Sequence, residues 1–463
     1  MQRQHPAAIL ALGVETFKNL GFAIVLGGIA GIGSFDLFRG VLIIAGIIIA
    51  VALLSLLIGL WSWAFFRYQY ESDALHTISG AVLKKRRHIK SERVQTVNRE
   101  AGVILRALKL TSIRIETAGG LQEAELYVRA LRKEEAAAIE ETLKGDVVSE
   151  DSAPDTVYQA DTQRLFIAGA TSGGSGFVAL IGLAVIGQLI AMIPDDMMER
   201  VASWVLAGGV LIILALTISY LFSSWLISLV RYLIRYAFFT VTRENDEIHI
   251  SHGLIVKRKL SLKLHRVQAV KVVEGLIRQP FSLATVEVEA AGGSAYESSQ
   301  KFVLFPLLKR DQIGAHLDRI LPEFNVDAEI TPVPRRALTR YMIRGCGWFV
   351  LLTPLFYFVP ETLFLLVLLP VFIVFSVLRF RDAGHALHDD LLISQFRYFA
   401  RTRAYTFKRH IQALEWHRNI LQRFRKLASL QSTVLSAPEK AAFKVKDISE
   451  EDVWALYKWY SRS

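Results

Sequence analysis

A single cysteine, Cys346, in 463 residues excludes an intrachain disulfide, so the folded parts need no oxidising compartment to hold together. Prolines number only twelve and no low-complexity tract interrupts the chain, so its polar stretches are expected to fold. There is no P-loop, no G-x-G-x-x-G after a strand, no H-E-x-x-H and no G-x-S-x-G. The common signatures of nucleotide, metalloprotease and serine-hydrolase chemistry are therefore missing. Met1 to Phe17 lack the basic region, apolar core and small-residue cleavage site of a removable signal peptide.

What the chain has in quantity is apolar sequence. Hydrophobic residues make up 52%, mean hydropathy is +0.34, and charged residues still reach 21%. The two populations are segregated. A helix needs about 20 apolar residues to span a bilayer, and six stretches qualify in three pairs: Asn19 to Gly33 with Val41 to Phe66, Leu165 to Ile193 with Val201 to Val230, and Gly345 to Val359 with Leu363 to Leu378. The short first and fifth are carried partly by the pairing. The turns inside the pairs hold only Arg39 and Arg200 as bases, against Asp36, Asp195, Asp196, Glu199 and Glu361. Bases such as Lys18, Arg67, Arg164, Arg231, Arg235, Arg344, Arg379 and Arg381 crowd the other helix ends. The positive-inside rule then places both termini and all polar segments in the cytoplasm.

The polar segments repeat. Gly80 to Arg93 and Gly253 to Arg266 are each separated by 13 positions, and Gln95 to Gly119 and Gln268 to Gly292 each by 24. The shared text is I-S-x-G or G-L with bases, then Arg-Val-Gln, then a strand ending in Ala-Gly-Gly at Gly119-Gly120 and Gly292-Gly293. A third copy is degraded: Arg397 stands where the glycine was, His410-Ile411-Gln412 replaces Arg-Val-Gln, and Ala-Gly-Gly is lost. Ile113 and Ile115 alternate with Arg114 and Glu116, as Val286 and Val288 do with Glu287 and Glu289, which indicates half-buried strands. Helical patterns close the copies at Arg132 to Leu143, Leu308 to Leu321 and Ser449 to Tyr460, the last with Ser449 and Asp452 as a near capping box. The expected order is hairpin 15–66, module 67–145, hairpin 165–230, module 231–325, hairpin 343–378 and module 379–463.

This combination of hairpin exit, glycine, Arg-Val-Gln and Ala-Gly-Gly resembles the bacterial pleckstrin-homology (PH) domain membrane proteins, especially their three-module, YdbT-like members. The resemblance covers essentially the whole chain. Where the family usually has a proline before the Arg-Val-Gln block, this chain reads Ile89-Lys90 and Leu260-Ser261. The resemblance implies a seven-stranded sandwich capped by a C-terminal helix for each module, with no established catalysis. It also implies a hetero-oligomeric complex with a smaller two-helix, one-module membrane protein, and a loose tie to envelope stress and antimicrobial-peptide tolerance.

Among functional candidates the basic runs stand first: Lys84-Lys85-Arg86-Arg87, Lys257-Arg258-Lys259, and the looser set Arg397, Arg401 and Arg403. Each base near an anionic leaflet gains about 1 kcal/mol, and lipid or partner contact is the expectation; the bland alternative is a solvated strand face. Net charge is zero over 67–164, +5 over 230–342 and +7 over 379–463, so the later modules should dominate such contact. No recognition helix accompanies the charge, and nucleic acid is not expected. Gly80, Gly253, Arg93, Gln95, Arg266 and Gln268 are expected to serve the fold. Gly169, Gly173 and Gly174 suit close helix packing. His385, His388, Asp389 and Asp390 read as a solvated connector rather than a metal site. The expectation is a non-enzymatic, oligomeric membrane scaffold without cofactor or metal. The rival is a transporter or efflux component for an amphipathic compound, weakened by the lack of charge inside the spans.

Overall fold

The computed structural model describes residues 1–17, 37–71, 74–81, 83–117, 126–144, 155–190, 195–291, 302–353, 358, 365–436 and 440–461. Its strands build one plan three times. The first module has a four-stranded antiparallel sheet, β1 (Gln2–Arg3), β2 (Arg67–Glu71), β3 (Ala74–Ser79) and β4 (Lys85–Lys90). Its second sheet is β5 (Val94–Ala101), β6 (Leu110–Thr117) and β7 (Leu126–Arg132). The second module uses β8 (Asp155–Gln159), β9 (Thr240–Glu244), β10 (Glu247–His252) and β11 (Lys257–Lys263), then β12 (Val267–Glu274), β13 (Leu283–Ala290) and β14 (Phe302–Lys309). The third uses β15 (Thr331–Pro332), β16 (Gly384–His388), β17 (Leu391–Arg397) and β18 (Arg401–Phe407), then β19 (Ile411–His417), β20 (Leu427–Val434) and β21 (Ala441–Ser449). Helices Lys133–Lys144, Arg310–Ile320 and Glu450–Ser461 close them. These are three PH-like modules of seven strands and a capping helix.

The alternation read from sequence holds: Ile113, Ile115 and Val286 are fully buried and Val288 nearly so. Ser449 caps the last helix, accepting from the Asp452 amide at 3.2 Å. The Arg-Val-Gln block turns the chain from one sheet to the next. A single 3₁₀ turn at Ser91–Arg93, Leu264–Arg266 and Lys408–His410 joins β4 to β5, β11 to β12 and β18 to β19. In the second module the Arg266 carbonyl accepts from Gln268 Nε2 at 3.3 Å and from the Ala291 amide at 2.8 Å. Gly80 and Gly253 have φ of 94° and 112°, and a Cβ there would sit 2.2 and 2.0 Å from the carbonyl oxygens of Leu83 and Val256. Only glycine makes that turn. Arg397 escapes the constraint because β17 continues through it, pairing it with Arg401. Gly119, Gly120, Gly292 and Gly293 lie outside the described residues.

One boundary differs from expectation in every module. The first strand of each four-stranded sheet precedes the hairpin: Arg3 pairs Arg67, Gln159 pairs Thr240, and Pro332 pairs Gly384. Modules starting at 67, 231 and 379 omit this strand. Each hairpin is an insertion between the first and second strands of a sheet.

The six expected spans are seen only in part. Among the described residues two are long and apolar enough to cross a membrane, Ala45–Phe65 with mean hydropathy 2.4 and Leu211–Tyr236 with 2.0. Both expose their aliphatic side chains, among them Leu53, Leu57, Leu211 and Leu216, so neither is the core helix of a soluble domain. The first expected span falls outside the described residues. The third breaks at Thr171 to Gly174 into helices Thr162–Ala170 and Ser175–Ile190. The fourth breaks at Gly208 into Asp195–Ala207 and Gly209–Tyr236, with Gly209 at φ 61°. In the third pair, Leu338–Leu351 and Leu369–Arg381 are shorter, with 354–357 and 359–364 outside the described residues.

Candidate interaction surfaces: module seams and hairpin anchors

The modules are not beads on a string. β11 of the second module pairs antiparallel with β5 of the first, and β18 of the third pairs with β12 of the second. Two sheets of seven strands therefore run through module boundaries, in the orders β7-β6-β5-β11-β10-β9-β8 and β14-β13-β12-β18-β17-β16-β15. At the first seam Lys257, Arg258 and Lys259 face Ala101, Glu100 and Arg99. Arg258 Nε lies 3.8 Å from Glu100, and the Ser261 amide donates to Asn98 Oδ1 at 3.3 Å.

The second seam is longer, with six facing pairs from Ala269–Thr406 to Glu274–Arg401. Arg401 forms an ion pair with Glu274 across it, and Arg397 Nη2 donates to Gln279 Oε1 at 2.7 Å. Arg397 is itself buried and held by Asp382 on its own module. Ala269, Ala404, Val434 and Phe443 form an apolar cluster over this seam, and the main core of the second module takes in Ala386, Leu391, Ile393 and Tyr405 of the third. Across the seam from Ala404 sits Lys271. Burial favours its neutral form, but Glu287 at 3.0 Å and Glu289 at 2.5 Å outweigh that and hold its pKa above the ordinary lysine value. A groove of about 750 Å³ runs beside the seam between Arg310, Phe324, Arg403 and Tyr405.

Each hairpin is also tied to its module at one repeated place, a bulge three residues before the closing helix. The register shifts between Thr111 and Ile113, Ala284 and Val286, and Ala428 and Leu430 leave Ser112, Thr285 and Ser429 at the bulges. In the third module Asp447, at φ 58° and with a fully buried side chain, faces Ser429. Its carboxylate accepts from Arg340 Nε and Gln422 Nε2, both at 2.8 Å, and pairs with Arg344. Arg340 and Arg344 lie one turn apart on helix Leu338–Leu351, which leads into the third hairpin. In the second module Arg278 takes the part of Gln422. Buried, it donates to Ala168 O at 2.7 Å and Thr171 Oγ1 at 2.9 Å at the break in the second hairpin, and to Thr285. In the first module the hub is apolar, Ala7, Ala8, Leu105, Leu110 and Ala130, with Arg129 pairing Glu15 at 2.6 Å alongside.

A family model described as "Bacterial PH domain" matches residues 21–147, 178–323 and 349–463. The chain belongs to the bacterial PH domain family. It is also 28% identical to the UPF0699 transmembrane protein YdbT of Bacillus subtilis (strain 168), over 99% of this chain and 98% of that one. The bacterial PH domain family is not a known enzyme class, and among the described residues no three His, Cys, Asp or Glu side chains converge as metal ligands. Two exposed apolar helices in this chain, together with a relative named as a transmembrane protein, make this a membrane-associated protein.

The basic runs singled out in the sequence thus go to unlike places. Lys257 and Lys259 stay exposed but lie on a seam strand with Arg258, and Arg401 and Arg403 lie on the other seam strand. Arg403 hydrogen-bonds to Gln395 of its own sheet at 3.0 Å. Lys84, Lys85, Arg86 and Arg87 are all exposed, the last three on β4 at the margin of its sheet. No tight cluster joins the three sets.

Proposed function

We propose that this bacterial PH domain protein is a non-enzymatic membrane scaffold. Six spans in three hairpins hold a row of cytoplasmic modules that bind by strand addition to one another and to partner proteins. Exposed bases of the later modules, such as Lys257 and Lys259, add contact with anionic lipid headgroups. The observation that carries this reading is the pair of seven-stranded sheets shared between modules: strand addition is how the modules of this chain already join one another. Main-chain pairing supplies affinity in such contacts, and side chains supply choice of partner. A role in envelope stress is the physiological extension.

The test is recovery of the tagged full chain from native membranes in mild detergent. A scaffold brings a stoichiometric protein companion, itself or another, that persists at moderate salt. A lone chain with neither protein nor lipid, or substrate flux in liposomes holding this chain alone, overturns the reading in favour of a transporter.

A further inference from the structure

Resting on the scaffold reading, we infer that β4 and β19 are the two halves of a third seam, closed by a second copy of this chain docking head to tail. Each internal seam joins the last strand of one module's four-stranded sheet to the first strand of the preceding module's three-stranded sheet. The register is also the same. Positions four, five and six after Gly253 face positions six, five and four after Gln95, and the same positions after Arg397 face those after Gln268. Two strands are left over by this rule. Among the described residues β4 pairs only with β3 and β19 only with β20, and each is the outermost strand of its sheet.

Burial tracks the difference. β12, covered by β18, has seven of its eight residues buried, whereas its counterpart β19 has two of seven; β4 has five of six residues exposed, against two of seven in its seam-covered counterpart β11. An open edge is a template for another strand unless it is guarded. Continuing the register between copies sets Ala413 opposite Ile89, Leu414 opposite His88, Glu415 opposite Arg87 and Trp416 opposite Arg86. The acid of β19 then meets a base, as Glu100 meets Arg258 and Glu274 meets Arg401 in the seams already formed. His417 and Arg418 fall opposite Lys85 and Lys84, and of these Arg418 is ion-paired with Glu450 of its own module. The contact is heterologous, so copies close into a ring or extend as a row.

The experiment co-expresses two differently tagged full chains on a Cys346→Ser background, one with Arg87→Cys and one with Glu415→Cys, and treats membranes with a short thiol cross-linker. The expected product joins the two tags. Trp416→Cys, one position out of register, gives much less of it, and Lys259→Cys with Arg99→Cys in one chain marks an intact internal seam. Glu415→Arg abolishes assembly above one chain in detergent, and pairing it with Arg87→Glu restores it. An intact internal control with no product between tags overturns the inference. So does protection of the Arg87→Cys thiol only by anionic lipid, or only by a different co-purified protein. The last outcome leaves the scaffold reading standing; a lone chain removes both.

Discussion

Asp447→Asn removes one charge and almost no volume from the anchor between the third hairpin and its module. Asparagine tolerates the left-handed backbone found there, so strain is not introduced. The wild-type carboxylate is fully buried and takes two arginines and a glutamine amide. Breaking a buried ion pair costs about 3–5 kcal/mol because the remaining charge is stranded. Arg344 keeps 35% of its side chain exposed and can turn to water, so the cost falls on Arg340, which is 11% exposed. About 3 kcal/mol is expected, close to a hundredfold increase in local opening. Hydrogen exchange on the full chain in detergent reads it directly: amides of β20, β21 and Leu338–Leu351 should exchange about a hundredfold faster while β6 is unchanged. Adding Arg340→Met should recover much of the loss, since no charge is then left unpaired. Exchange within threefold of wild type in the single variant, or no recovery in the double, would refute the anchor.

Glu274→Gln should loosen the second seam by about 1–2 kcal/mol, between buried and surface values because Arg401 is 24% exposed, read as faster exchange in β12 and β18 together. Gly253→Ala should cost at least about 2 kcal/mol, because the added Cβ meets a backbone oxygen, and should lower the melting temperature of the full chain. Burial holds His252 and His385 neutral with pKa values below 6.5. An unfolded chain protonates them more readily, so the stability they leave in place above about pH 6.5 is lost as pH falls through the lowered folded values. Melting temperature should therefore drop as pH falls below about 6.5, and less so in His252→Gln.

Sequence periodicity reached the parts of this fold whose signal is local. The alternation around Ile113 and Val286, the glycine turns at Gly80 and Gly253, and the cap at Ser449 each lie within a few residues. The strands before the hairpins escaped because all three pair only across an intervening hairpin, and Gln2–Arg3 and Thr331–Pro332 are just two residues long. Seams escaped because inter-module register leaves no period in either strand. The Asp447 anchor did leave a trace: in Phe443, Val445 and Asp447 an acid falls on the buried phase, and Arg340 and Arg344 share one face of the entering helix.

The insertion of each hairpin between the first two strands of a sheet has a consequence for biogenesis. β1, β8 and β15 leave the ribosome before any membrane segment of their module, yet cannot pair until the returning chain brings β2, β9 or β16 to the same side. A hairpin that crosses an odd number of times strands its two ends on opposite leaflets, and the module stays open. On the proposed topology, sheet closure therefore requires that both ends of a hairpin have reached the same side of the membrane.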